Sequence, residues 1–376
     1  MNQGKKQVTI AAMVALMAAG AWAKPPHDGG GGNGGGGNGG GGGGGGGGGS
    51  SEYYQACGTP DNSTSVSRAS LLIGGAEAGA TGEIAATQWL VDHARGGDYL
   101  VLRTGGTGGQ ADWMCDTFGP DLGSAAELSI DDRNSANDPS LVSYIQNAEI
   151  IFIAGGDQNE YEDFWKDTLV EDALNDHLNV KRAPIAGTSA GLAVLGQSYY
   201  APANLGVLSK EILDDPYHAN TQDINHGDFL LHPQLAGVIT DTHLDRVTGN
   251  GRKAETRHGR TFGFLARSIQ DRSTLGERAI GLEEATFVAL DGNGVATVYG
   301  EGAAYFMEPN SFPERITAGA PLVWDNGGQA ATVYRIQGDA DGHGSFDLSN
   351  WSGSGGSNSS WYTTSGYDNF NCQTGC

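Results

Sequence analysis

Four short apolar runs, each ending in a turn of small residues, constrain this chain more than any other feature. Ser70–Ile73 runs into Gly74-Gly75, and Tyr99–Arg103 into Thr104-Gly105-Gly106. Ile150–Ala154 runs into Gly155-Gly156, and Ala183–Gly187 into Thr188-Ser189-Ala190-Gly191. Runs of this length are too short for a helix, and unbroken apolarity implies burial on both faces. Helix-length amphipathic segments follow, over Gly82–Ala94 and about Glu160–His177. Strands that alternate with helices build a parallel sheet whose crossovers cover both faces. The expected fold is therefore α/β, a doubly wound, mostly parallel sheet. Ligands in such sheets bind beyond the carboxyl ends of the strands, where these glycine turns gather. Later, Ala279–Leu290 and Val295–Tyr299 flank Asp291-Gly292-Asn293-Gly294 as a hairpin, and antiparallel strands near Arg335 finish the sheet.

The two ends of the chain have a different character. Lys5 and Lys6 precede an apolar segment from Val8 to about Ala19, and Ala21-Trp22-Ala23 has the small-x-small form of a cleavage site. Residues 1–23 are expected to be a signal peptide, which makes the mature protein a secreted one, extracellular or periplasmic. The apolar core is too short to span a bilayer, so no membrane partner is expected of the mature form. Residues 24–55 read as a disordered linker, because Gly29–Gly49 holds 19 glycines in 21 positions without a collagen period. Residues 56–338 form the expected catalytic domain, and 339–376 a Gly/Ser/aromatic extension containing Cys372 and Cys376. Four cysteines in an exported chain imply two disulfides. Cys57 with Cys115 and Cys372 with Cys376 is one of three pairings, and spacing does not choose among them. No C-x-x-C pair or histidine cluster is present, so no metal or other cofactor is expected. Asp339, Asp341 and Asp347 lack the glycine position of a calcium loop. A formal charge of −23, with 44 acidic against 21 basic residues, excludes a nucleic-acid partner.

Chemistry concentrates at Gly187-Thr188-Ser189-Ala190-Gly191, a G-x-S-x-G sequence set between an expected strand and an expected helix. This is the context of a nucleophile elbow, in which flanking glycines permit a turn that lifts the serine above the sheet. A capped strand-to-helix turn is the plainer reading of the same residues. A serine nucleophile needs a base. Among nine histidines, His226, His232 and His243 follow it, with Asp214 or Asp215 as an acid in the usual order. His243 is the most site-like, because it comes just after the apolar run Leu235–Ile239, off a strand's carboxyl end.

Five segments then resemble a known family. Leu71-Leu72-Ile73-Gly74-Gly75-Ala76-Glu77, Gly155-Gly156-Asp157-Gln158, the serine turn, Asp241-Thr242-His243 and Gly281-Leu282-Glu283-Glu284-Ala285-Thr286 occur in that order. The chain is similar, from about Ser70 to Val298, to the serine peptidases that include cyanophycinase and aspartyl dipeptidase (peptidase E). That resemblance implies a fold like the class I glutamine amidotransferases. It implies Ser189 as nucleophile, His243 as base and acid, and Glu284 as the acid orienting the histidine, with Glu283 the neighbouring alternative. The amides of Ala190 and of Gly155 or Gly156 would form the oxyanion hole. Gln158, Asp241 and Thr242 match pocket positions. Arg246, Arg252, Lys253, Arg257 and Arg260 form a basic cluster, of which Arg246, Arg257 and Arg260 are the expected substrate contacts. The arginine register departs from the family's R-x-R-x-x-R, and Leu244 stands where a phenylalanine is usual. The implied substrate is cyanophycin, an arginine-decorated poly-aspartate cut at β-aspartyl bonds to β-Asp-Arg dipeptides. The alternatives are an Asp-X dipeptide exopeptidase and a non-catalytic polymer- or surface-binding module. Some family members pair, so a homodimer is among the expected partners.

Overall fold

The computed structural model describes residues 52–60, 65–106, 108–247 and 255–372. The expected signal peptide, most of the linker, Arg252, Lys253 and Cys376 lie outside the described residues. In chain order the first half forms β1 (Glu52–Gly58), β2 (Ala69–Ile73), α1 (Glu83–Asp92), β3 (Asp98–Arg103), α2 (Gln110–Phe118) and β4 (Ser124–Ser129). It continues with α3 (Pro139–Asn147), β5 (Ile150–Ile153), α4 (Gln158–Trp165), α5 (Leu169–Asp176), β6 (Ile185–Thr188) and α6 (Ala190–Ala193). The second half adds β7 (Ser198–Tyr200), α7 (Ser209–Asp214), β8 (Ile224–His226), β9 (Val238–Asp241), α8 (His258–Arg272) and β10 (Arg278–Leu282). It ends with β11 (Thr286–Asp291), β12 (Val295–Gly300), β13 (Ala303–Pro309), β14 (Ala331–Gln337), β15 (Gly344–Asp347), β16 (Ser352–Ser354), β17 (Ser357–Thr363) and β18 (Phe370–Cys372).

The fold is mixed α/β, and the expectation of a mostly parallel sheet is corrected. Two large sheets are present, in the orders β1-β4-β3-β5-β6-β2-β11-β12-β15-β16 and β18-β17-β14-β13-β10-β9-β7-β8. Only β4-β3-β5-β6-β2 and the β10-β9-β7 step run parallel; the remaining pairings are antiparallel. All four glycine-ended runs lie in the parallel core, and β2 and β5 are buried along their whole length. The antiparallel excess comes from the hairpin at Asp291–Gly294 and from the C-terminal strands, whose short connections cannot make crossovers.

One expected element was two. Ala279–Leu290 reads as a single strand, but Glu283-Glu284-Ala285 breaks it, sending β10 into the second sheet and β11 into the first. The helix expected over Glu160–His177 also breaks, where Asp167 takes φ 58° between α4 and α5. The chain boundaries differ as well. β1 begins at Glu52, inside the segment expected to be linker, and pairs with β4. The described residues from 339 on join the two sheets: β15 and β16 extend the first, and β17 and β18 the second.

The layers follow from the burial pattern. On one face of the first sheet, Ala86, Leu90 and Val91 of α1 and Met114 and Phe118 of α2 share a core with Leu71, Val101 and Phe152. On the other face, Val142, Ile145, Val170 and Leu174 from α3 and α5 join Leu100, Leu128 and Ile151. The same core takes in Ile280, Phe306 and Ile336 of the second sheet, so the two sheets close on each other. The far side of the second sheet carries α7 and α8, with Ile212, Phe262 and Ile269 gathered around Tyr305, Val333 and Trp361. A disulfide joins Cys57 on β1 to Cys115 on α2, and Cys372 is also disulfide-bonded.

Candidate active site

The site lies where β2, β6, β9 and the β10–β11 break end together. Ser189 leaves β6 at φ 50° and opens α6. His243 follows β9 at φ 53°, and Ala285, next to Glu284, has φ 52°. Left-handed backbone at a residue with a β-carbon costs on the order of 1–3 kcal/mol and persists only where neighbours over-determine it. Here the neighbours are three successive carbonyls at the end of β2. Ile73 accepts the Ser189 amide at 3.2 Å, Gly74 the His243 amide at 3.1 Å, and Gly75 the Ala285 amide at 2.7 Å. Glycine is required at two points of this close approach. A β-carbon on Gly75 would strike the His243 ring, and one on Gly191 the Ile153 carbonyl.

The side chains form a continuous row. Ser189 Oγ is 2.7 Å from His243 Nε2, and His243 Nδ1 is 2.7 Å from Glu284 Oε1. A carboxylate at Glu284 accepts from Nδ1–H, which leaves Nε2 free to accept the serine proton. The Glu284 amide donates to Asp245 Oδ1 at 2.9 Å, a brace that sequence reading missed and that no spacing rule announces. Burial pushes the His243 pKa below its ordinary value, with Arg257 and Arg246 adding to this and Glu284 opposing it. The His243 hydrogen bond holds the Glu284 carboxyl below its usual range, and Arg246 and Arg257 act in the same sense against the opposing effect of burial. The resting pair is therefore neutral imidazole and carboxylate.

Glu283 points away. Its carboxylate accepts from Tyr305 Oη at 2.7 Å and from the Ala303 amide at 2.8 Å, with His258 Nε2 3.7 Å away. The other candidates from the sequence are also elsewhere. His232 is buried against Ser70 Oγ at 2.8 Å, and burial pushes its pKa down to about 3. His226 pairs with Ser198 at 2.9 Å. Asp214 binds Lys210 and the Tyr367 amide, and Asp215 accepts the amides of Tyr217 and Gly319.

Ala190 is the first residue of α6, so its amide has no intrahelical carbonyl to meet. Gly155 sits against Ser189: a β-carbon there would lie 3.5 Å from the serine Cβ. Gly156 faces the Tyr161 hydroxyl, whose proton goes to the Ala154 carbonyl at 2.6 Å. Asp157 caps α4 by accepting the Asn159 amide at 3.0 Å, and Gln158 Nε2 donates to the Tyr200 carbonyl at 3.2 Å.

The expected substrate contacts divide. Asp241 and Arg260 are buried and satisfy each other through Arg260 Nε at 3.1 Å and a second bond from its Nη2. Thr261 Oγ1 and the Thr242 amide complete the carboxylate's partners at 2.7 and 2.8 Å. Burial alone would raise the Asp241 pKa, but Arg260, with Arg257 and Thr261, brings it below its ordinary value. This pair holds the strand end beneath His243, and its groups are not turned to a ligand. Arg257 donates to the Thr242 carbonyl at 3.2 Å and leaves its Nε without a partner. Burial, with Arg260 nearby, brings the Arg257 pKa down to about 9. Arg246 is the more exposed of the three, with Nε 3.9 Å from Glu284. Arg257 and Arg246 thus supply positive potential beside the Ser–His–Glu row.

Residues 71–261 match the family model for Peptidase family S51. A cyanophycinase from Geminocystis herdmanii (strain PCC 6308) is 25% identical over 130 residues, covering 30% of this chain and 48% of the relative. The chain thus spans about half the length of this curated relative. Among solved structures, a peptidase from an acI-B1 Actinobacterium has 16% identity and a TM-score of 0.42, covering 69% of this chain and 93% of the other.

Proposed function

Because the chain belongs to peptidase family S51, we propose that it is a serine hydrolase acting through Ser189, His243 and Glu284. The observation that carries this reading is the row itself, with two 2.7 Å contacts and a serine held at φ 50° on a strand end. His243 Nε2 takes the Ser189 proton as Oγ bonds to an amide carbonyl carbon. The carbonyl oxygen gains the negative charge and is met by the amides of Ala190 and of Gly155 or Gly156. His243 then gives the proton to the leaving nitrogen, the C–N bond breaks, and an ester to Ser189 remains. Water, deprotonated by His243, attacks that ester and returns the serine. Glu284 keeps the imidazole in the tautomer that can do this, and balances the imidazolium that forms between the two transfers. The helices on both faces of the parallel core and the serine at the end of β6 support relating the fold to the class I glutamine amidotransferases.

For the substrate we infer cyanophycin, cut at β-aspartyl bonds to β-Asp-Arg dipeptides. Arg257 and Arg246 beside the row supply a positive potential that suits a substrate carboxylate, with Arg246 the more exposed of the two. The apolar segment and Ala21-Trp22-Ala23 near the start support export. Purified protein is expected to clear insoluble cyanophycin and release dipeptides, with Arg246→Ala raising KM about tenfold or more through a lost charged contact to the substrate. Hydrolysis of Asp-X dipeptides without clearing would replace this substrate with the exopeptidase's, and binding without any turnover would leave only a binding module.

The acid limb of the rate follows from His243. The base must be neutral, and burial lowers its pKa, so activity should fall only as pH drops through a midpoint below the ordinary histidine value of about 6.5. A kcat/KM profile with its acid midpoint above that value would contradict the buried, neutral histidine described here.

A further inference from the structure

Glu283, Glu284 and Ala285 cross from one sheet to the other, and their three successive amides decide where the side chains point. The Glu283 amide donates to the Ala303 carbonyl of β13 at 3.0 Å, and the Ala285 amide to the Gly75 carbonyl after β2 at 2.7 Å. Between them, the Glu284 amide has a side chain as its acceptor, Asp245 Oδ1 at 2.9 Å. The outer two acceptors are main chain and are present whatever the sequence. The middle one exists only because residue 245 carries an oxygen at that reach. Asp245 is itself fixed by the turn that carries the base. Leu244 is fully buried, gives its amide to the Leu282 carbonyl at 3.1 Å and accepts the Arg257 amide at 2.8 Å. The Arg246 amide closes the turn on the His243 carbonyl at 3.1 Å. Gly281 leaves the space that Leu244 fills, since a β-carbon there would strike its side chain.

We infer that Asp245 is a positioning residue: by holding the Glu284 amide it fixes the Glu284 carboxylate against His243 Nδ1. The turn from His243 to Arg246 then carries the base and holds the acid in one piece. The inference rests on the serine-hydrolase reading above and deepens it. The tie is short, because the amide that Asp245 receives is one bond from the Glu284 Cα, and Oε1 of that side chain lies 2.7 Å from Nδ1. Arg246, in the same turn, brings its Nε to 3.9 Å from the same Oε1. Ala285, at φ 52°, is a left-handed residue that needs partners on both sides to persist. Glu283 does not supply the hold, since its carboxylate is engaged by Tyr305 Oη and the Ala303 amide. Without the Asp245 oxygen the Glu284 amide turns to water, and the peptide that aims the carboxylate is free to rotate. Asp245 is exposed, so replacing it opens no cavity in the core. An ionised carboxylate accepts more strongly than an amide oxygen, so asparagine should keep the same hold in a weaker form.

Two readouts on the full chain test this. The first is the Nδ1 proton between His243 and Glu284, followed by proton NMR as a resonance far downfield of the amides and assigned by its loss in His243→Gln. Asp245→Ala should lose that resonance to exchange with water, and Asp245→Asn should retain it. The second is labelling of Ser189 by a fluorophosphonate, which reports the serine whatever the natural substrate is. Oγ bonds to phosphorus, fluoride leaves, and His243 takes the proton. Asp245→Ala should label about tenfold more slowly than wild type, the scale of a loosened orienting group, and Asp245→Asn within about threefold. An alanine variant that keeps either the resonance or the wild-type labelling rate would overturn the inference, as would an asparagine variant as impaired as the alanine one. A wild type that shows the resonance but takes no label would overturn the hydrolase reading instead, and the resonance then decides the hold on Glu284 by itself. If wild type shows no such resonance, the labelling comparison decides alone.

Discussion

Ser189→Ala is expected to abolish amide hydrolysis, with a loss of about 10⁶ in kcat, while the protein unfolds at the wild-type temperature. The hydroxyl is the only atom removed, and the strained backbone that carries it is held by Ile73 O and by α6, both untouched. The more discriminating experiment compares the adjacent glutamates. Glu284→Gln keeps the size of the side chain but offers His243 Nδ1 an amide, which favours the wrong tautomer and should cost about 10⁴ in kcat. Glu283→Gln should leave kcat within about tenfold and instead lower stability by about 1–3 kcal/mol, because Tyr305 Oη and the Ala303 amide lose a buried charged acceptor. Single-turnover kinetics beside thermal melts separates the two patterns. The reverse assignment, with Glu283→Gln the inactive one, would require a different backbone through the β10–β11 break.

Asp241→Ala should destabilise the fold by about 3–5 kcal/mol, more than any exposed ion pair in the molecule would cost. The loss leaves the Arg260 guanidinium buried without its bidentate acceptor, and that uncompensated charge is the dominant penalty. Replacing both members, as in Asp241→Leu with Arg260→Met, removes the charge together with its partner and should recover most of the stability. Urea unfolding gives the answer through a shifted midpoint at unchanged slope. A single variant costing less than about 1 kcal/mol would show that water reaches the pair. The double variant should still be slow, since Asp241 ends the strand from which Thr242 and His243 project.

Where the fold could be read from the sequence, it was because one rule governed the segment. The four glycine-ended runs obey strand burial alone, and all four stand in the parallel core. β4 was missed because Ser124–Ser129 carries no apolar run; its Glu127 is fully buried, accepting from Gly108 and Ala111 amides and paired with Arg103. α8 was missed for a related reason: Arg260 and Arg267 occupy core-facing positions that periodicity reads as solvent. The second sheet stayed hidden because Ala279–Leu290 alternates smoothly through the break that separates two sheets. Only the Glu-Glu pair inside that run hinted at it. At the site, Ser189 and His243 were legible because each follows a strand end, whereas Glu284 was preferred to Glu283 only through the family resemblance. The Asp241–Arg260 pair was not, since two residues 19 positions apart reveal their contact only after α8 is packed.

The C-terminal strands give the molecule a particular order of completion. β17 follows every element of the parallel core in the chain, yet it pairs with β14 in the middle of the second sheet's antiparallel run. Its Trp361 is fully buried against His258 and Tyr305, with ring centroids 5.9 and 5.7 Å away. Those two side chains flank Glu283, the residue that anchors the backbone just before Glu284. A nascent chain that has already released Ser189 and His243 therefore still lacks the wall behind its third polar partner. Pairings this distant in sequence form late, after loop closure has been overcome. Assembly of the Ser189–His243–Glu284 row is thus tied to the docking of β17, a strand that follows all three residues in the chain.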